Sequence, residues 1–356
     1  MKLFLIIVGA LVTAFAICVL MLVLWLRWLT RKLGKSLGGL AGLAEKLGGP
    51  VPPLRIELRR IETVRWQRAD EAAALVEPLR RAHFQEIGGF AMEPGEVVMQ
   101  AFQLPAENVH AIVYEHPQAG VWLDLVTRYQ DGSKLTYANL ADTLLDRAEN
   151  NVIRYHEKAP AEELLKLFLA ERPAKPMESV PPEGFAGYFE RAYAESMDWM
   201  IARGGPTEAE IRRHCEKRGQ EFTPILVTAV RARWAAAIDE FYEEQLQERF
   251  LAESHVNAAR WEQIRDRVVF VHDRMAPARL ENLCEQEYDE DEDDEGLYDT
   301  RPASSALAGG ATSPREVFAR WNAALNNGRR YEKIGEVSEP VAADVYLSPE
   351  EDEEEE

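Results

Sequence analysis

Histidines, cysteines and carboxylates are the side chains of this sequence that could carry chemistry, and their spacing is the first constraint on what it does. His83, His110, His116, His156, His214, His255 and His272 form neither H-E-x-x-H nor any other zinc-binding spacing. His214 and Cys215 are adjacent on an expected helix and point about 100° apart, too divergent to share a metal without further ligands. The closest approach to a phosphate loop is Gly34-Lys35-Ser36, but Leu29 stands where a Walker A loop needs glycine. Neither G-x-G-x-x-G nor G-x-S-x-G occurs. His110 on an expected strand, with His116 near its end, would meet Asp124 only if strand pairing allowed it, and such a trio could move a proton. The plainer expectation for these three is solvent-facing polar residues on a sheet covered on one side. The sequence assigns no catalytic residue, no cofactor and no metal.

A different kind of site lies near the C-terminus. Ser313-Pro314-Arg315-Glu316 spells a helix start, and Val317, Phe318, Trp321 and Leu325 follow at helical spacing before Gly328 ends the pattern. A helix this short is marginal in water unless it docks, so these four residues are the expected partner-binding set. Their partner is either the chain's own body or a separate protein.

The elements that hold these residues begin with a membrane segment. Leu3 to Leu26 carries no charge and only Thr13 as a polar side chain. At about 1.5 Å per residue this span reaches across a hydrocarbon core of roughly 30 Å. Trp25 and Trp28 suit the interface, and Arg27, Arg31 and Lys32 form a basic flank that places the body on the cytoplasmic side. A cleaved signal peptide would have a shorter apolar run and a small-residue cleavage site. The expected bilayer contact is therefore an uncleaved single-pass anchor.

The expected fold class is α+β, with residues 1–30 as the transmembrane anchor and 31–53 as a juxtamembrane linker. An antiparallel-sheet domain with flanking helices spans 54–172. Leu54, Ile56 and Leu58 alternate as in a half-buried strand, and a helix covers Ala69 to Gln85 and stops at Gly88-Gly89. Strands follow over Val97–Leu104, Val109–Glu115, Gly120–Tyr129 and Lys134–Tyr137, the last two joined through Asp131-Gly132. Asn151 to His156 suggests a short strand, and Pro160 to Glu171 a closing helix. A Pro-rich linker occupies 173–184.

Residues 185–284 read as an α-helical region, a bundle or a coiled-coil-like hairpin. Thr207 with Glu210 forms a capping box, Thr223-Pro224 starts a long helix to about Glu253, and Asn257 to Met275 reads as another helix. Residues 285–356 read as an acidic, mostly disordered tail with a short helix near 314–327. The net charge of −20 belongs largely to that tail. Glu285 to Asp299 and Glu350 to Glu356 hold seventeen acidic residues and no basic ones, and without them the chain is near balance at −3. Acidic runs repel phosphates, so nucleic acid is not an expected partner. With few cysteines and no catalytic motif, the reading is a membrane-tethered cytoplasmic adaptor or assembly component acting through protein contacts. The alternative is a membrane-anchored hydrolase or transferase with its site in the α+β domain.

Overall fold

The computed structural model describes residues 51–285, 313–325 and 329–349. The expected anchor, including Trp25, Arg27, Trp28, Arg31 and Lys32, lies outside the described residues, as do the acidic stretches from residue 286 and from residue 350. Among the described residues no helix is long and apolar enough to cross a membrane. The described chain divides into two compact units, Pro206–Ala232 on the one hand and Pro53–Gly205 with Arg233 onward on the other.

The fold is mixed α/β, built on a seven-stranded sheet whose strands lie in sequence order: β1 (Glu57–Ile61), β2 (Gln85–Glu93), β3 (Val98–Leu104), β4 (Val109–His116), β5 (Gly120–Arg128), β6 (Lys134–Ala138) and β7 (Asn151–Tyr155). β1 to β6 form an antiparallel meander, and β7 joins β6 in parallel. The sheet expected to be antiparallel is therefore mixed at one edge. The reason is the connection: β6 and β7 are joined by residues 139–150, which return the chain to the starting end of the sheet, where a tight hairpin would have reversed it.

One face of the sheet packs on α1 (Ala69–Arg81) and α2 (Ala161–Glu171). Leu75, Val76 and Leu79 from α1, and Ala161, Leu164 and Phe168 from α2, meet Phe102, Ala111, Val113, Leu123, Leu125 and Tyr137. The other face packs on α3 (Phe185–Ala202), whose Phe185 closes a cluster with Leu58, Ile87, Phe90, Met99, Ala101 and Ile112. Both faces are thus covered. The Pro-rich stretch is held to the same domain: Gln130 N donates to Pro176 O, Glu178 N to Arg128 O, and Gln103 Nε2 to Val180 O.

The helix expected to run to Gln85 ends at Arg81, and Gly88-Gly89 lies inside β2, where no strand was expected. Gly88 takes φ +150 at a register shift between Glu86 and Gly88. At Gly89 a Cβ would lie 2.5 Å from Val64 Cγ2, so the pair serves a close approach in a strand. His83, at φ 64, turns the chain between the two elements.

In the small unit, α4 (Glu208–Arg218) starts on the capping box formed by Thr207 and Glu210, and Gly219 caps it in the left-handed region. The guanidinium of Arg212 lies over the ring of Phe222 at 4.0 Å. The first turns of α5 (Pro224–Glu253) belong here too, with Leu226 N donating to Thr223 Oγ1.

The C-terminal half differs most from expectation. The helix read over Asn257–Met275 is α6 (Ala258–Ile264) followed by β8 (Val268–His272), because Val268, Val269 and Val271 favour a pleated surface. α7 (Pro277–Glu285) and α8 (Pro314–Ala324) follow, then β9 (Glu332–Val337) and β10 (Ala343–Leu347). The three strands form an antiparallel sheet in the order β8-β10-β9. Two strands therefore lie within the stretch read as a mostly disordered tail. One side of this sheet buries Leu246, Phe250 and Trp261 against Val345 and Leu347, and the other buries the first turns of α8.

Candidate functional site

The α3-covered face of the large sheet carries several polar groups among its apolar ones. Register fixes them: Asp124 pairs with Ile112 and Ala138, Val126 with His110 and Thr136, and Arg128 with Lys134, which pairs with Asn151. Alternation then puts Trp122, Asp124, Val126 and Arg128 of β5 on this one face.

His110, His116 and Asp124 do share it, but they form no acid–base trio. His110 is 3% exposed, between the rings of Phe185 and Tyr188 at 5.7 and 5.5 Å, and burial lowers it to about 4. Its Nε2 has no hydrogen-bond partner among the described residues. His116 Nδ1 accepts from the backbone N–H groups of Gln118 and Ala119, which makes it a turn cap. Asp124 has a buried Oδ1, and burial raises its carboxyl to about 7 against the opposing influence of the Tyr114 hydroxyl and Arg147.

The same face opens, at the ends of β5 and β6, into a cleft of about 340 Å³. Its walls are Arg128, Lys134, Arg147, Asn150, Asn151, Glu195, Ser196 and Trp199, with Gly132 and Ala148 at the rim. Glu195 on α3 accepts two bonds from Arg128, Nη1 to Oε2 at 3.1 Å and Nη2 to Oε1 at 3.0 Å. Lys134 Nζ lies 2.6 Å from Glu195 Oε2 and donates to Ala192 O at 3.1 Å. Burial opposes ionisation of Glu195, but Lys134 and Arg128 outweigh it and hold the carboxyl below its ordinary value. Arg128 and Lys134 are 19% and 9% exposed, whereas Glu195 is 46% exposed. Two nearly buried cations therefore share one carboxylate that reaches into solvent, and Arg128 Nε also lies 3.0 Å from Glu178 Oε2. Asn151 Nδ2 donates to Ser196 Oγ at 3.3 Å, and Arg203 covers the ring of Trp199 at 4.0 Å. The Nε of Arg147 is buried and lacks a hydrogen-bond partner among the described residues.

Two other features of the described residues bring no such set of charges together. A hollow of about 490 Å³ lies between the end of α5 and β9, but its Glu253, Arg260 and Glu336 are exposed, and Glu253 and Glu336 pair with Arg249 and Lys333 outside its lining. His272 and Asp239 are fully buried, with Nε2 and Oδ1 3.8 Å apart, and Asp239 accepts from Ala276 N. Burial lowers His272 to about 4 and raises Asp239 to about 6. Among the described residues no three His, Cys, Asp or Glu side chains are placed to hold a metal.

The expected partner-binding residues occupy the chain's own core. Val317 and Phe318 are fully buried with Val271, Met275, Leu280, Tyr331 and Tyr346, and Trp321 and Leu325 pack against this cluster. The rings of Tyr346 and Tyr331 lie 4.8 and 5.4 Å from Phe318. Among the described residues this helix packs on the chain's own body. The cleft was not legible in the sequence, where the polar residues of this face read as solvent-facing and no local pattern shows that α3 covers them. The available signal was Arg128 and Lys134 flanking the Asp131-Gly132 turn, which a tight hairpin must pair. Compared with protein-family models, with curated proteins and with solved structures, the chain shows no significant match.

Proposed function

We propose that this chain is a membrane-tethered cytoplasmic adaptor or assembly component whose sheet domain receives a small polar ligand. The observation that carries ligand binding is the cleft over Arg128, Lys134 and Arg147, whose volume lies in the range of small-molecule sites. The apolar span Leu3 to Leu26 and the basic residues behind it support the tether and its orientation. Recognition, more than catalysis, suits the lining: Ser196 Oγ donates to Ala192 O, and among the described residues no histidine lines the cleft to activate it. Large exposed apolar side chains among the described residues are Val152 and Ile225, so protein contacts of the body would be polar.

The enzymatic alternative draws on one observation. Asp124, on the same face and held at about 7, has the affinity of a general base at neutral pH, and Arg147 influences it while lining the cleft. Calorimetric titration of the full chain in neutral detergent with a panel of small anions, zwitterions and neutral polar molecules tests the binding reading. Binding lost on Arg147→Gln supports it, and no binding from any class overturns it. Turnover of a bound compound, abolished by Asp124→Asn, would favour the enzyme. Protease added outside intact cells should leave the body uncut, and cleavage there would overturn the cytoplasmic placement.

A further inference from the structure

Two cations on neighbouring strands share a carboxylate that is the most exposed member of the trio. Arg128 and Lys134 are anchored by sheet register, whereas Glu195 reaches them from α3 on a flexible side chain. Removing the carboxylate without replacement would leave Lys134 with no carboxylate partner among the described residues and Arg128 with Glu178 alone, 3.0 Å from its Nε, which is costly for cations so nearly buried. Replacing it by another oxyanion keeps their bonds and releases Glu195 into water. The same cleft holds a third cation, the guanidinium of Arg147, whose buried Nε has no acceptor among the described residues. A planar fork of N–H groups of this kind matches carboxylate and phosphate oxygens.

Building on the ligand-binding reading, we propose that the cleft is an oxyanion site in which Glu195 stands in for the ligand. The phosphate or carboxylate group of a small molecule displaces Glu195 from Arg128 and Lys134 and takes a further bond from Arg147. The cleft is far larger than the oxyanion itself, and the remainder of the molecule lies toward Asn150, Asn151, Ser196 and Trp199. Glu195 then sets affinity by competition. A ligand meets the open cleft only in the fraction of molecules whose Glu195 has left, and its apparent affinity falls by that fraction.

The test uses the full chain in neutral detergent at fixed ionic strength, titrated calorimetrically with inorganic phosphate and separately with a soluble short-chain phosphatidic acid. A soluble metabolite and a lipid headgroup offer the same oxyanion, and the two titrants separate them. Glu195→Gln removes the competing charge, so it should bind the preferred titrant about tenfold tighter than the unaltered chain, the equivalent of about 1.4 kcal/mol. Glu195→Asp, whose shorter arm reaches less well, should fall between them and carries the test if the glutamine variant does not fold. Arg147→Gln should weaken binding about tenfold by removing one charge-assisted bond. Equal or weaker binding by both Glu195 variants, with Arg147→Gln still weakened, overturns the displacement and leaves the cleft as a binding site. Binding by none of the proteins overturns the displacement and, for oxyanions, the site itself.

Discussion

The two faces of the seven-stranded sheet are covered by helices in the same way but are built from different chemistry. Under α1 and α2 the strands present Phe102, Ala111, Val113, Leu123, Leu125 and Tyr137, all fully or almost fully buried. Under α3 the same strands present an apolar patch at one end and His110, Asp124, Thr136, Arg128 and Lys134 toward the other. The first face removes apolar area from water at roughly 25 cal/mol per Å² and buries few polar groups, with the Tyr137 hydroxyl donating to Glu171 Oε2 and Thr127 Oγ1 to Asn108 O. The second must pair or neutralise every charge it buries, and it does so incompletely at His110 Nε2, Asp124 Oδ1 and Arg147 Nε. Stability belongs to the first face and the candidate site to the second.

A cavity on the apolar face should have the largest effect of all. Phe168→Ala removes a fully buried ring that meets Tyr137 edge-on at 5.3 Å. It should cost about 4 kcal/mol in urea unfolding while leaving oxyanion binding unchanged. If binding fell in proportion, the two faces would not be separable.

On the polar face the largest effect should come from a charge that burial disfavours. Asp124 is raised to about 7, so from the ordinary carboxylate range up to pH 7 the folded chain holds a proton that the unfolded chain has released. Its contribution to stability therefore falls as pH rises through that window. Asp124→Asn should be more stable than the unaltered chain above pH 7, by on the order of 3 kcal/mol, with the gap closing toward pH 4. A constant gap between pH 4 and pH 8 would show that Asp124 is not the group responsible.

His110 works in the opposite sense. Burial lowers it to about 4, so below about pH 6.5 the unfolded chain binds a proton that the folded chain refuses, and stability is lost as pH falls. His110→Leu should be more stable than the unaltered chain by about 2 kcal/mol at pH 4.5 and should show no such pH-dependent gain above pH 6.5. The two slopes oppose each other between pH 4 and 6.5, and the buried pair His272 and Asp239 repeats the opposition. Single variants measured across pH reveal what a profile of the unaltered chain conceals.

What could be read from the sequence follows the same division between local and long-range causes. The capping box at Thr207, the helix from Pro224, the helix opened by Ser313 and the strands around Asp131-Gly132 rest on neighbours within a few residues, and all are present. The elements missed depend on distant partners. β2 contains Gly88-Gly89, which reads as a helix stop until Val64 and Ile61 are seen pressing on the strand. β9 and β10 lie between acidic stretches and gain their order from β8, some sixty residues earlier. The cleft is of this second kind. Arg128 and Lys134 are legible as a hairpin pair, but Glu195 and Arg147 arrive from elements that no local pattern links to them.

The smallest expected effect compares the same chemistry on the two sides of the sheet. Arg81 on α1 and Glu162 on α2 form an ion pair at 2.7 Å with side chains 68% and 58% exposed. The Arg128–Glu195 pair is no shorter, yet its guanidinium is largely withdrawn from water and shares its carboxylate with Lys134. Water already solvates both members of the exposed pair, so their attraction replaces hydration of nearly equal value. At Glu195 the carboxylate replaces hydration that Arg128 and Lys134 have lost, and hydrogen bonds to such charged groups are worth about 2 kcal/mol. Glu195→Gln should therefore lower stability by about that amount, and phosphate should restore part of it by binding the vacated cations. Glu162→Gln should leave the urea midpoint where it was, with or without phosphate. Equal loss from the two substitutions would mean that Arg128 and Lys134 are hydrated through the cleft, and the contrast between the faces would then lie in shape alone.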